Sequence, residues 1–287
     1  MQTVADGRSW AIEELKRART GNPLLTADLL LAHVLGWERV HVLSRTERLV
    51  PDEAWIRLQD LVCRRIHGEP LQYLTGEQEF YGLVFQVAPG VLIPRPETEI
   101  LVEKALSLVE NSRNSSTRFA DIGVGSGCIA ISIAHEIPSA IGWAVDISAV
   151  ALRIARENAI RHKVSDRIFL LQSDLLSGFA PKECFDLVLC NPPYVAHRDS
   201  GSLPCEVRDY EPHEALFGGE SGLEVYRRLL PEVFSRLVTG GHLLLEAGAG
   251  QAEWIEQQAK KEGFSLEMTV NDLQGIPRCI IARKILP

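Results

Sequence analysis

The sequence predicts an α/β protein in which buried, mostly parallel strands are sandwiched between helices and preceded by a small helical bundle. Three observations carry that expectation. Apolar residues recur at helical spacing from residue 1 to about 75; residues 78 to 93 switch to β-branched and aromatic residues; and from 118 onward short apolar runs alternate with helical patterns. At 287 residues the chain is long enough for one large domain and a small one.

In the bundle the clearest helix is PDEAWIRLQDLVCRRIHGEP. Pro51 suits the first helical position, Asp52 and Glu53 the positive end, Arg64, Arg65 and His67 the negative end, and Gly68 is a stop. Trp55, Leu58, Val62 and Ile66 then form one stripe. Helices around 10 to 19 and 26 to 35 end at Gly21 and Gly36, and short amphipathic helices of this kind must cover one another's apolar faces. Next, QEFYGLVFQVAPGVLI reads as a hairpin turning at Pro89-Gly90 and joining two domains. A helix starts at Pro96, and NSRNSST (111 to 117) is a linker loop. Strands are expected at 118 to 122, 141 to 145, 168 to 172, 185 to 190 and 241 to 245, with Arg278 in a closing antiparallel hairpin. The domains are thus 1–75, a connecting segment 76–95, and 96–287.

A net charge of -8 with scattered Lys and Arg argues against non-specific capture of nucleic acid by a basic face. Residues 1–75 hold ten acidic and ten basic residues, so the bundle is not basic either. The six cysteines form no C-x-x-C pair, which suggests neither a zinc site nor a disulfide framework. With no signal-peptide pattern and no apolar run of spanning length, a soluble, cytoplasmic protein is expected.

The chemistry-bearing residues fall at strand ends. The first parallel strand empties into Asp121-Ile-Gly123-Val124-Gly125-Ser126-Gly127, a turn whose glycines admit a ligand to the backbone and which opens a helix. The dinucleotide spacing G-x-G-x-x-G would need glycine where this chain has Cys128; the alternative for the loop alone is a tight turn. Asp146, after the second strand, can accept both hydroxyls of a ribose, or else cap a helix. Asp174 repeats the pattern after the third, placed to accept from an adenine amine with Leu175 against the ring. An adenosine-containing ligand without a triphosphate loop is the implied occupant. The fourth strand delivers Asn191-Pro192-Pro193-Tyr194. The Asn191 side-chain oxygen and the Pro192 carbonyl can grip the two hydrogens of a planar NH2 group, Tyr194 offers a flat face, and the prolines hold the acceptors fixed. The alternative is a strand-ending turn. Phe80, Tyr81 and the 94–99 stretch border the pocket or pack at a domain junction; Glu206, Tyr210 and Glu211 shape a substrate channel or are exposed loop charge.

DIGVGSG, Asp146 and NPPY together resemble class I S-adenosylmethionine-dependent methyltransferases acting on planar amino groups. The wider set, EPLQYLTGEQEFYG, VLIPRPETE, DIGVGSGCIA, NPPYV, YEPHEALFGGESGLEVYR and DLQGIPR, resembles the release factor glutamine methyltransferase family (HemK/PrmC) from the bundle nearly to the last strand. The resemblance implies a Rossmann-like, mostly parallel seven-stranded sheet. It implies methylation of the side-chain amide (N5) of the glutamine in the Gly-Gly-Gln loop of class 1 peptide chain release factors, with a monomer acting on a protein partner and with no nucleic acid or membrane. Gly123, Val124, Gly125, Ser126, Gly127, Asp146, Asp174, Leu175 and Asn191 would hold S-adenosyl-L-methionine (product S-adenosyl-L-homocysteine), and Asn191, Pro192, Pro193 and Tyr194 the glutamine amide, with no metal. The chain departs from the family at Leu175, often aromatic, and at Val124, commonly threonine. A rival is an adenine-N6 DNA or RNA methyltransferase, whose substrate presents the same NH2 group; a third reading is a non-catalytic cofactor-binding adaptor, which an intact NPPY disfavours.

Overall fold

The computed structural model describes residues 2–110 and 116–285, so most of the expected 111–117 linker lies outside the described residues. The chain divides into two compact units, one of residues 1–77 with 204–210, the other of 78–203 with 211–287.

The first unit is helical: α1 Val4–Arg17, α2 Pro23–Leu35, α3 Arg39–Ser44, α4 Asp52–Ile66 and α5 Leu71–Thr75. α1 begins earlier than the apolar spacing suggests because Thr3 and Asp6 form a capping box. α2 ends at Gly36 in the left-handed conformation, as expected, whereas Pro51 is the N-cap of α4 rather than its first helical residue. Leu15, Leu30, Leu31, Leu58 and Val62 make the core, with Trp55 and Ile66 half-buried against it. Asp28, fully buried, is held by Arg8 at 2.6 Å and Arg39 at 3.1 Å, which satisfies a charge that would otherwise oppose folding. Glu206 and Tyr210 are bonded within the helical unit rather than loose loop charge. Glu206 pairs with Arg65 at 2.6 Å, and the Tyr210 hydroxyl donates to the His67 carbonyl, tying 204–210 to the end of α4.

The hairpin forms, but elsewhere. β1 Glu77–Phe80 and β2 Leu83–Gln86 turn at Tyr81-Gly82, both at positive φ (51° and 73°), the conformation whose twist matches a two-residue hairpin loop. Pro89-Gly90 instead makes a separate bend that closes with Val91 N–H donating to the Ala88 carbonyl.

After a short 3-10 turn at Pro96–Thr98 come α6 Glu99–Glu110, β3 Arg118–Ile122, α7 Cys128–Glu136, β4 Ile141–Asp146, α8 Ala149–Arg161, β5 Ile168–Gln172 and β6 Phe185–Cys190. Then follow α9 Cys205–Tyr210, α10 His213–Leu216, α11 Glu224–Arg236, β7 Leu237–Glu246, α12 Ala252–Lys261, β8 Phe264–Asn271 and β9 Pro277–Lys284. The seven-stranded sheet runs β5-β4-β3-β6-β7-β9-β8, parallel except that β9 is antiparallel to both neighbours.

Side-chain alternation sorts the sheet into two cores. Phe119, Leu187, Leu189, Leu244 and Ile281 face α6, α7 and α8; Ala120, Ile122, Val188, Leu243, Leu245 and Ile280 face α11 and α12. The chain runs outward from β3 through β4 to β5, then returns to β6 on β3's other side. That reversal opens a crevice at the carboxyl ends of the strands, where such sheets bind ligands.

Candidate active site

The crevice is a cleft of about 260 Å³. Its floor is the ends of four parallel strands: Ile122, Gly123 and Gly125 after β3, Asp146 at the end of β4, Ser173, Asp174 and Leu175 after β5, and Asn191 and Pro193 after β6. Gly90, Val91 and Leu92, expected to be a hairpin turn, wall one side; Pro212, Glu214, Phe217, Val225 and Arg228 wall another.

The glycine loop is held by backbone. Gly123 and Val124 N–H groups both donate to the Val145 carbonyl (2.8 and 2.9 Å), and Gly125 N–H donates to Asp146 Oδ2 (2.9 Å). Gly123 and Gly125 lie at φ +77° and +55°, and a Cβ on Gly125 would meet only the Gly123 carbonyl oxygen, at 4.0 Å, so the backbone itself is what the cleft presents. The loop's other three residues are held differently. Val124 is buried in the core, and the Ser126 carbonyl accepts from the Asn158 side chain at 2.8 Å. Gly127 is the left-handed N-cap of α7, where a Cβ would meet Ile131 and Ala155. None of these three lines the cleft.

Asp146 is not a helix cap; Ser148 caps α8 by accepting from Ala151 N–H. Its carboxylate takes Gly125 N–H on one oxygen and Ser148 N–H on the other (2.9 Å each), leaving lone pairs for the cleft. Burial raises its pKa, and the two N–H donors oppose that shift. Asp174 reaches the cleft with one oxygen already paired to Arg228. Leu175 stands beside it at φ +50°. Asp121, near the end of β3, turns inward: it is 0% exposed and accepts from Ala130 N–H at 3.0 Å, closing the first turn of α7 from the preceding strand. Burial lifts its pKa to about 7.

At the end of β6 the Asn191 Nδ2 donates to Thr98 Oγ1 at 3.1 Å, and Thr98 Oγ1 donates to Glu246 Oε2 at 2.6 Å. Among the described residues no donor reaches Asn191 Oδ1 or the Pro192 carbonyl, so two acceptors remain at the strand end. Tyr194 is half-buried, with its carbonyl accepting from Gln251 Nε2 at 2.8 Å. Burial pushes its phenol up to about 12, so the hydroxyl stays protonated. The segment FGGESG backs this turn. Gly218 N–H donates to the Val195 carbonyl, and a side chain on Gly218 or Gly222 would run into the carbonyl oxygen of Pro193 or Tyr194.

Phe80 and Tyr81 do not border the cleft. Phe80 is in the sheet core, and Tyr81 faces a separate cavity with Glu97, Glu99 and Asp272. Glu211, an expected channel residue, is buried and accepts from Ile93 N–H at 3.1 Å and from Arg95, which fixes the chain on either side of the cleft wall. Arg278 bonds Asp272 (2.9 Å) and the Ala247 carbonyl (3.2 Å), bracing the end of β7. Sequence reasoning missed Thr98's bond, Glu246 and Arg228. Arg228 directly follows the quoted stretch YEPHEALFGGESGLEVYR, and Thr98 lies in IPRPETE, but nothing in the spacing marked Glu246.

Comparison with known proteins agrees with this geometry. The PrmC N-terminal domain model matches residues 7–76 and the Methyltransferase small domain model residues 98–203. The release factor glutamine methyltransferase of Koribacter versatilis is 42% identical over 274 residues, covering 96% of each chain. That of Bradyrhizobium diazoefficiens is 38% identical over 288 residues, covering 100% of this chain and 96% of its own. Among solved structures, a methyltransferase from Pyrococcus furiosus covers 79% of this chain and 100% of its own at 17% identity and a TM-score of 0.53, a likeness of fold alone. With a parallel sheet reversed at one edge, a glycine-lined cleft at its reversal point and relatives of this identity along nearly their whole length, the chain belongs to the release factor glutamine methyltransferase family.

Proposed function

We propose that this chain transfers a methyl group from S-adenosyl-L-methionine to the side-chain amide nitrogen (N5) of the glutamine in the Gly-Gly-Gln loop of class 1 peptide chain release factors. The observation that carries the reading is the Asn191 carboxamide, tied through its Nδ2 to Thr98 so that its oxygen is left as an acceptor at the cleft edge.

The residues present fit the cofactor. Gly123 and Gly125 form a cradle that a side chain at Gly125 would fill, Asp146 has acceptor capacity suited to paired ribose hydroxyls, and Leu175 and Phe217 are apolar surfaces suited to a purine. Asp174, braced by Arg228, takes the exocyclic amine on its remaining lone pairs. When bound, the cofactor supplies a sulfonium-borne methyl group. Asn191 Oδ1 and the Pro192 carbonyl then accept the two N–H bonds of the glutamine amide and turn its nitrogen toward the cleft, while Tyr194 packs against the amide plane. A neutral amide nitrogen is a weak nucleophile, so the residues act by orientation and by stabilising the positive charge that grows on it, not as a base. The methylated nitrogen is acidic enough to release its proton to solvent. Pro192 and Pro193 keep the acceptors from relaxing, and residues 1–75 recognise the body of the release factor. A substrate in translation termination suits a monomer working in the cytoplasm; among the described residues no helix is long and apolar enough to cross a membrane.

The test is incubation with labelled S-adenosyl-L-methionine and, separately, a purified release factor and unmethylated DNA or RNA. Label on the release factor glutamine is expected; label on nucleic acid alone overturns the reading.

A further inference from the structure

Glu246 closes β7 beneath the Asn191 turn and is 1% exposed, yet among the described residues it makes no ion pair. A lone buried carboxylate opposes folding, and packing alone would be served as well by an uncharged side chain of the same shape. Its hydrogen bonds supply the reason. Thr98 has a single hydroxyl hydrogen, which goes to Glu246 at 2.6 Å; toward Asn191, 3.1 Å away, Thr98 can therefore only accept. An asparagine side chain has nearly the same shape with its oxygen and nitrogen exchanged, so the cavity cannot choose between the two orientations. The Thr98 acceptor chooses, because it demands a donor and sends Oδ1 the other way.

We propose that Glu246 is a positioning residue that sets the polarity of the substrate grip: acting through Thr98 it orients the Asn191 carboxamide with its oxygen toward the incoming amide. This rests on the reading that the cleft edge receives a glutamine side chain. Reversed, Asn191 would present N–H groups to the N–H groups of the substrate, and one of the two acceptors would become a repulsive contact.

The polarity depends on the charge of the carboxyl. Burial raises the pKa of Glu246 to about 7, a rise opposed by the Thr98 bond, the charge of Arg278 on β9 and the nearby Tyr194 hydroxyl and reinforced by Glu97 in the Pro96–Thr98 turn. The neighbouring Cys190, Cys279 and Tyr226 are held neutral by burial. Above that pKa the carboxylate accepts and the relay runs as described. Below it the protonated carboxyl donates to Thr98, whose hydroxyl is then free to donate to Asn191 and favours the reversed amide.

Thr98→Val removes the relay at constant shape, Thr98→Ser restores it, and Glu246→Gln, which offers Thr98 an NH2 donor as well as a carbonyl acceptor, takes away at every pH the charge that fixes the direction. Two readouts are needed, with thermal melting as a control for folding. In single-turnover transfer to a purified release factor, Glu246→Gln and Thr98→Val are expected to slow the reaction about 100-fold, with unchanged cofactor affinity. Thr98→Ser recovers most of the rate, and the acid fall-off of the parent enzyme near neutral pH is lost in Glu246→Gln. In the substrate-free protein, the Asn191 side-chain NH2 resonance, assigned by its absence in Asn191→Asp, is expected to shift with the same midpoint and to be displaced in Thr98→Val. Parent-like turnover and an unmoved resonance in Glu246→Gln and Thr98→Val overturn the proposal. A responsive resonance in a protein that methylates no release factor upholds the relay and overturns the function proposed above instead.

Discussion

The two sides of the cleft are held by different means. On the glycine-loop side the bonds made by the N–H groups of Gly123, Val124 and Gly125 go to a backbone carbonyl or a carboxylate on the next strand, and Gly125 to Asp146 spans only 21 residues. On the NPPY side the geometry hangs on a side-chain relay whose steps span 93 and 148 residues. A cradle of backbone is insensitive to most side-chain exchange but intolerant of added volume. A relay of side chains keeps its shape under substitution while losing its polarity, and it responds to pH.

The largest break is expected on the relay side. Asn191→Ala removes one of the two acceptors and lowers methyl transfer about 100- to 1000-fold, while calorimetry shows cofactor affinity retained; undiminished turnover would remove Asn191 from the site. Next is Gly218→Ala. Gly218 is not at positive φ, so the variant tests space alone: the new methyl meets the Pro193 carbonyl and displaces the turn. Transfer is expected to fall about 100-fold with little change in cofactor binding, and equal losses of both would show that the two sides move as one. On the glycine-loop side, Asp146→Ala strips an acceptor and frees Gly125, so cofactor affinity drops about tenfold or more by calorimetry, and unchanged affinity would put the ribose elsewhere.

Asp121 sharpens the contrast from beneath the glycine loop. Its folded pKa is raised from 3.8 to about 7, so the folded chain keeps a proton that the unfolded chain releases. The stability associated with that neutral carboxyl is complete below the unfolded value, declines as pH rises, and is gone above about 7. Asp121→Asn stays neutral throughout, so its melting temperature should fall less than the parent's between about pH 5 and pH 8, by a few degrees. Parallel curves would mean that the carboxyl is charged at its site throughout.

What could be read from the sequence follows the same division. β3, β5 and β6 lie where their apolar runs placed them, and Asp146 lies at its strand end, because a buried strand and the loop after it are written in consecutive residues. Local signals misled where two competed. Pro89-Gly90 is the stronger turn pair by composition, yet the chain turns at Tyr81-Gly82, where Glu99 accepts the Tyr81 N–H at 2.9 Å. Val124, Ser126 and Gly127 sit inside the same glycine motif, and their packing against the core, Asn158 and α7 could not be read from its spacing. Glu246 was illegible for a further reason: its meaning lies in a hydroxyl from Pro96–Thr98 that only the closed sheet brings to it.

Leu175 keeps a branched side chain in a left-handed backbone conformation that costs such residues about 1 to 3 kcal/mol. Glycine would be at ease there, so Leu175→Gly should melt higher and bind S-adenosyl-L-methionine more weakly, and a variant that gained stability at no loss of affinity would show that the isobutyl group has no share in the ligand. The wall of the proposed purine site is therefore a spring kept under load by the surrounding fold, and breeding this protein for heat resistance alone would relax it first.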